Sequence, residues 1–289
     1  MPRLRSSEWL AIAYFVYVAA VAPFYIRTPW RAAVMAAGIA ALFALSTRFR
    51  PVVRDFLPLA ATFAAYREMN WFTPAVRDYH LERAWVVWDR LVLDHYGLRA
   101  AIESTGRVAP EFLELCYVLV YGIAPLALWA LYENGRGKQT NHFWVGYLAG
   151  TLGAYACFPY FPSEPPRTAF PGTDMPHVET AMRAVNMTIT GGYGIHSSVF
   201  PSAHVSSAFS AAWALLAILP HKRWIGWSFA AYGVIVAVAT VYGRYHFAVD
   251  AVAGLAVSLL AMFAMYLLDR SSGKLDGSSR KLDGSSGKR

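Results

Sequence analysis

The sequence predicts an all-α protein, a polytopic membrane helix bundle with six to eight transmembrane helices, and three observations predict it. Hydrophobic residues make up 56% of the 289 and charged ones only 15%, far from the roughly 25% charge of a soluble domain. Apolar segments recur at about the length a helix needs, at 1.5 Å per residue, to cross roughly 30 Å of hydrocarbon. The ionisable residues at the ends of those segments gather into two short motifs near the C-terminal half.

In chain order, the apolar segments are Trp9–Tyr25, Trp30–Leu45, Phe112–Tyr132, Phe143–Phe161, Val205–Leu219, Trp224–Tyr242 and Phe247–Leu268. Val52–Tyr66 is a weaker eighth, because Arg54 and Asp55 sit at one end, and it reads equally as re-entrant or interfacial. The first segment lacks a small-residue cleavage site, with Pro23 and Phe24 in its place, so it is expected to stay as a membrane helix. Residues 67–109 mix charge with aromatics. Within them Leu81, Trp85, Val86, Leu91 and Leu93 give Leu81–Tyr96 the pattern of an amphipathic helix lying on the membrane surface. Pro162–Phe200 is rich in Pro, Gly, Ser and Thr and reads as an irregular loop, of a length uncommon unless it is functional or disordered. Ser271–Arg289 repeats Lys-Leu-Asp-Gly-Ser-Ser and has too little apolar content to fold. The expected division is therefore N-terminal membrane helices with an interfacial helix (1–109), a catalytic membrane core (110–268) and a disordered tail (269–289).

The formal charge of +8 comes from residues scattered through short loops and the tail. Without a basic stripe on a soluble domain, nucleic acid is not an expected partner, and the bilayer is. Arg136, Lys138, Lys222, Arg223 and the basic tail fall in alternate loops, which the positive-inside rule places, with the C-terminus, in the cytoplasm. The segments Pro162–Phe200 and Gly243–His246 then face the extracytoplasmic side. Cys116 and Cys157 lie inside apolar segments and read as packing residues. Nothing in the sequence indicates an oligomeric state.

The first motif, Phe200-Pro201-Ser202-Ala203-His204, opens a helix directly after the long loop; the second, Gly243-Arg244-Tyr245-His246-Phe247-Ala248-Val249-Asp250, opens the last helix. Between the two histidines the chain crosses and returns, so both lie on one side of the membrane, and Pro165-Pro166-Arg167 lies there too. His246 and Asp250, four residues apart, share a helix face. A carboxylate on one ring nitrogen fixes the tautomer and leaves the other nitrogen able to attack. A second histidine, His204, is then placed to protonate a leaving oxygen and activate an acceptor. Arg167, Arg244, Ser202 and the amides after Pro201 are candidate ligands for the equatorial oxygens of a phosphoryl group. Each residue alone has a structural alternative: Pro201-Ser202 is an ordinary helix start, Asp250 a pore residue, Arg167 a headgroup anchor. Their joint occurrence on one face favours catalysis.

These residues resemble the type 2 phosphatidic acid phosphatase superfamily, whose second motif is Pro-Ser-Gly-His and whose third ends in His-x3-Asp; here they stand as Pro201-Ser202-Ala203-His204 and His246-x3-Asp250, followed by Ala-Val-Ala-Gly at 251–254. The resemblance implies a six-helix phosphatase-like core, a phosphohistidine on His246, acid/base work by His204, and neither metal nor cofactor. It departs in two places. The family's third-motif Arg falls at Thr240, and its first motif, Lys-x6-Arg-Pro, is missing. Pro165-Pro166-Arg167, with Leu115-Cys116-Tyr117 through Tyr121 and Pro125, is similar instead to the branch containing inositol phosphorylceramide synthases and related bacterial proteins. That branch implies a bacterial inner-membrane enzyme, inositolphosphotransferase-like, moving a phospho-headgroup between lipids; hydrolysis of phosphatidic acid or polyprenyl phosphate is the alternative. A transporter would show internal repeats or paired broken helices, and a metal-dependent enzyme a His-Glu-x-x-His sequence; neither is read here.

Overall fold

Segments of the predicted length form helices in the predicted order. The computed structural model describes residues 3–271, with no strand among them. The expected tail from residue 272 onward lies outside the described residues, whereas 269–271 still belong to the last helix. Three helices come first: α1 (Ser6–Val21), α2 (Trp30–Ser46) and α3 (Pro51–Met69). The short helices α4 (His80–Arg90) and α5 (Leu98–Glu103) follow, and then α6 (Val108–Leu119) and α7 (Ile123–Glu133), joined by a single turn into one rod. After α8 (Thr140–Cys157), the connection holds α9 (Pro166–Ala169) and α10 (Ala181–Tyr193) before α11 (Ala203–Ile218), α12 (Arg223–Tyr242) and α13 (Ala248–Ser271).

Among the described residues, four stretches are long and apolar enough to cross a membrane: Ser6–Phe24, Val108–Glu133, Pro220–Tyr242 and Ala248–Leu267. Trp30–Ser46 and Ala203–Ile218 are apolar but shorter. The chain is thus an integral membrane protein. Hydropathy alone leaves out α3, which carries charge at both ends, yet its contacts show that it runs the height of the bundle. At its start Asp55 accepts from Arg5, Tyr132 and Thr140, and the Asp55 carbonyl accepts from Trp144. At its end the Tyr66 ring meets Tyr155. α3 therefore lies parallel to α8 from first turn to last, and 19 residues at 1.5 Å make about 29 Å. α1 runs alongside in the same sense, with Ser7 on Asn141 and Tyr17 on the Ala156 carbonyl.

Close approach of these rods depends on small residues, as is common between membrane helices. Ser206 donates to the Gly150 carbonyl at 2.9 Å, and a Cβ on Gly150 would collide with the Ser210 hydroxyl. One apolar core runs from Phe15 and Phe43 through Trp144 and Leu148 to Val205 and Leu215, so the N-terminal helices share the core of residues 110–268.

Two sequence expectations need correction. The segment 162–200 is not irregular throughout: α10 occupies its second half, started by Thr180, whose hydroxyl accepts from Arg183 N–H. α4 does more than lie on a surface. Val87 and Trp88 are exposed on one face, but Trp85 on the other stacks on Phe200, 5.0 Å between ring centres, and meets Phe247 edge-on. Two of its charged residues lie inside the bundle: Glu82 and Asp89 of α4 are buried.

Candidate active site

The two motifs meet because α11 and α13 start side by side. Ser202 N–H donates to the Asp250 carbonyl at 2.9 Å, and a Cβ on Gly254 would run into the Ser202 carbonyl oxygen. At Gly254, then, absence of a side chain lets the two helix starts touch. The turn before α13 is tied to the end of α12: Tyr245 and His246 N–H both donate to the Thr240 carbonyl, and Arg244 adopts a positive φ of 62°.

This frame sets a linear array of side chains. His246 Nδ1 faces the Val199 carbonyl at 3.0 Å and Asp250 Oδ2 at 3.3 Å. Its Nε2 stands 3.3 Å from His204 Nδ1, and His204 Nε2 is 3.4 Å from the Tyr121 hydroxyl. Asp250 Oδ2 also accepts Phe247 N–H at 2.8 Å, so the carboxylate is anchored before it meets the ring. His204 is packed face-on by Tyr117, which is itself stacked on Tyr245 with ring centres 3.9 Å apart. Arg167 lies over the other part of the Tyr245 ring, 5.1 Å from its centre, a cation–π contact. Its own N–H donates to the Arg244 carbonyl.

His246 lies in the turn between α12 and α13, outside the spanning segments. Burial, and behind it the Arg167 charge, pushes its imidazole down to about 3, against the pull of the Val199 carbonyl. The ring is therefore neutral at neutral pH. Since Nδ1 has two oxygen acceptors, the proton belongs there and the Nε2 lone pair points toward His204.

His204, His246 and Arg167 line one cavity of about 380 Å³. Ala203 and His204, the first residues of α11, also line it, so the positive end of that helix faces the cavity. Asp250 stands behind His246, fully buried. Two expected phosphate ligands are placed elsewhere. Ser202 is buried and caps α11 by accepting Val205 N–H. Arg244 is fully buried and turned onto Asp89 of α4, Nη1 to Oδ2 at 2.5 Å, while the other Asp89 oxygen accepts Ala248 N–H at 2.7 Å. Burial without access to the cavity is the physical reason neither side chain is offered to a ligand there. Thr240, at the position of the family's third-motif Arg, is buried with its hydroxyl on the Ala237 carbonyl.

Several contributors escaped sequence reasoning. Asp89 fastens α4 to the His246 turn. Glu114 of α6 accepts from Arg183, Asn186 and Tyr245, and so ties α10 to the ring stack that holds His204. Glu114 did carry a signal, a carboxylate inside an apolar span. The Val199 carbonyl carried none. Among the described residues, no group of three or more His, Cys, Asp or Glu side chains converges as a metal site would.

No curated protein and no solved structure gives a significant match. The family model described as PAP2 superfamily matches residues 86–264, from the middle of α4 into α13, and takes in both histidine motifs, Arg167 and Asp89. By that match the chain belongs to the PAP2 superfamily, the type 2 phosphatidic acid phosphatases, whose chemistry is that of lipid phosphates.

Proposed function

We propose that this protein is a lipid phosphotransferase that moves a phospho-headgroup between lipids through a phosphohistidine on His246. The observation that carries it is the array from Asp250 through His246 to His204 at a cavity that also holds Arg167. The uncharged His246 Nε2 attacks phosphorus while Asp250 and the Val199 carbonyl hold Nδ1–H and share the positive charge that develops on the ring. Attack requires the 3.3 Å contact between the histidines to open, with His204, entering this step as imidazolium, following the leaving oxygen and giving it a proton to become neutral. In the second half-reaction His204 takes the proton of the acceptor hydroxyl as it displaces His246. Arg167 and the α11 N-terminus offset charge on the equatorial oxygens.

Transfer is favoured over hydrolysis by the cavity wall, which seven tyrosines share with the histidines and where apolar surface predominates; a dry pocket gives an acceptor alcohol the advantage over water. The site end of the bundle is opposite Arg136, Lys138, Lys222 and Arg223, so by the positive-inside rule it faces the extracytoplasmic side and α13 ends in the cytoplasm. The test is consumption of labelled phosphatidic acid by the purified protein, with and without candidate acceptor alcohols. Label on the acceptor supports transfer, free phosphate alone means hydrolysis, and turnover by His246→Ala removes the nucleophile.

A further inference from the structure

α3 lies outside the residues matched to the family, yet it forms one wall of the cavity. Its lining residues, Leu59, Thr62, Phe63, Tyr66 and Arg67, are one helical stripe. From Leu59 to Arg67 that stripe rises about 12 Å at 1.5 Å per residue. On α8, which runs parallel, the lining extends over the same rise from Tyr147 to Tyr155. Both helices end at the level of the histidines, so Leu59 and Tyr147 mark the deep end, toward the bilayer midplane, and Arg67 the mouth. On the way down the α3 wall passes from Arg67 through Tyr66 and Phe63 to Leu59, with the hydroxyls of Thr62 and Thr151 beside them. Phe63 and Tyr121 line the cavity and are 47% and 38% exposed, one from α3 and one from the turn joining α6 to α7. Those two rods bound an exposed side of the cavity.

We propose that α3 and the α6–α7 rod frame a lateral portal through which the substrate slides from the bilayer, and that the α3 stripe is the gauge of its hydrocarbon tail. The inference rests on the lipid-phosphate reading above. The occupant is the tail of the lipid whose phosphate sits between His246 and Arg167: the channel is continuous with those side chains, its wall is mostly apolar, and the charged side chains that line it, Arg67 and Arg167, lie at the histidine end. Leu59, at the deep end, sets how long a tail fits, and selectivity in such a slot is a matter of a few methylenes.

The test compares kcat/KM of the full-length protein for dioctanoyl and dioleoyl phosphatidic acid, followed as substrate consumed. Leu59→Trp, which blocks the deep end, is expected to lower the dioleoyl to dioctanoyl ratio roughly tenfold or more, mainly through KM. Leu59→Ala is expected to move the ratio toward the longer chain, which separates gauging from misfolding. Ala60→Trp, exposed on the other side of the same turn, leaves the ratio unchanged. An unchanged ratio in both Leu59 variants, or the same shift in Ala60→Trp, overturns the gauge while leaving the enzyme reading intact. Failure of wild type to consume either lipid overturns the lipid-phosphate reading and the gauge with it.

Discussion

Asp250→Asn distinguishes two ways in which a carboxylate can serve a histidine. Where the carboxylate alone selects the tautomer, its neutral amide presents the wrong ring nitrogen to the reaction, at a cost of roughly ten-thousandfold in rate. Here the Nδ1 proton has a second acceptor: the Val199 carbonyl at 3.0 Å is nearer than Asp250 Oδ2 at 3.3 Å. Asparagine keeps an oxygen for Phe247 N–H, and Val199 keeps the tautomer. What is lost is one hydrogen bond to a charged group as the ring becomes cationic, about 1.5–3 kcal/mol. At about 1.36 kcal/mol per decade that is a fall of roughly 10- to 150-fold in the chemical step. Rapid-quench single-turnover kinetics with labelled phosphatidic acid measures it without interference from product release. A loss as large as that of His246→Ala, or no loss, would show that the shared-acceptor geometry does not govern the reaction.

Three further predictions concern the frame and its charge. Gly254→Ala pushes a methyl group into the Ser202 carbonyl, so it is expected to destabilise by about 1–3 kcal/mol and to lower kcat by separating His204 from His246; thermal unfolding and turnover check both. Asp89→Ala leaves the fully buried Arg244 charge alone and costs about 3–5 kcal/mol, whereas the paired change Asp89→Leu with Arg244→Met recovers most of the folding stability, as read in denaturation of the purified protein. The His246 imidazole is held down to about 3 from its ordinary value near 6.5, so between those values the unfolded chain binds a proton that the folded one does not. Stability contributed by this site is therefore complete above pH of about 6.5 and falls as the pH drops toward about 3, and His246→Gln should flatten that slope between pH 7 and 5; identical slopes would contradict the depressed imidazole.

The helical membrane bundle was legible because spans must be apolar for a fixed length, and the pairing of His204 with His246 followed from parity of crossings and the four-residue spacing to Asp250. What the sequence hid has a common physical origin: hydropathy treats every charge as something to be kept in water. By that rule α3 was a weaker eighth span that could equally be re-entrant or interfacial, whereas Asp55 at its start and Tyr66 at its end tie it along the length of α8. The same rule offered Arg244 to a ligand, because its partner Asp89 lies 155 positions earlier in a helix whose amphipathic pattern suggested the membrane surface. Arg183 and Asn186, inside a segment read as irregular, are paired with Glu114, 69 and 72 positions earlier in another span. Ion pairs that close over such distances leave no local period to read. Arg167 was legible for a different reason: parity of crossings puts the segment after Phe161 on the side of the two histidines, and Arg167 does line the cavity.

The central claim is a covalent bond between phosphorus and His246 Nε2. Incubating the protein with phosphorus-labelled phosphatidic acid, quenching in alkali and mapping the label by peptide mass spectrometry tests it directly. Label is expected on the peptide carrying His246 in the wild-type protein and absent from His246→Ala. Label on another residue, or full turnover with no labelled protein at any time, would contradict it.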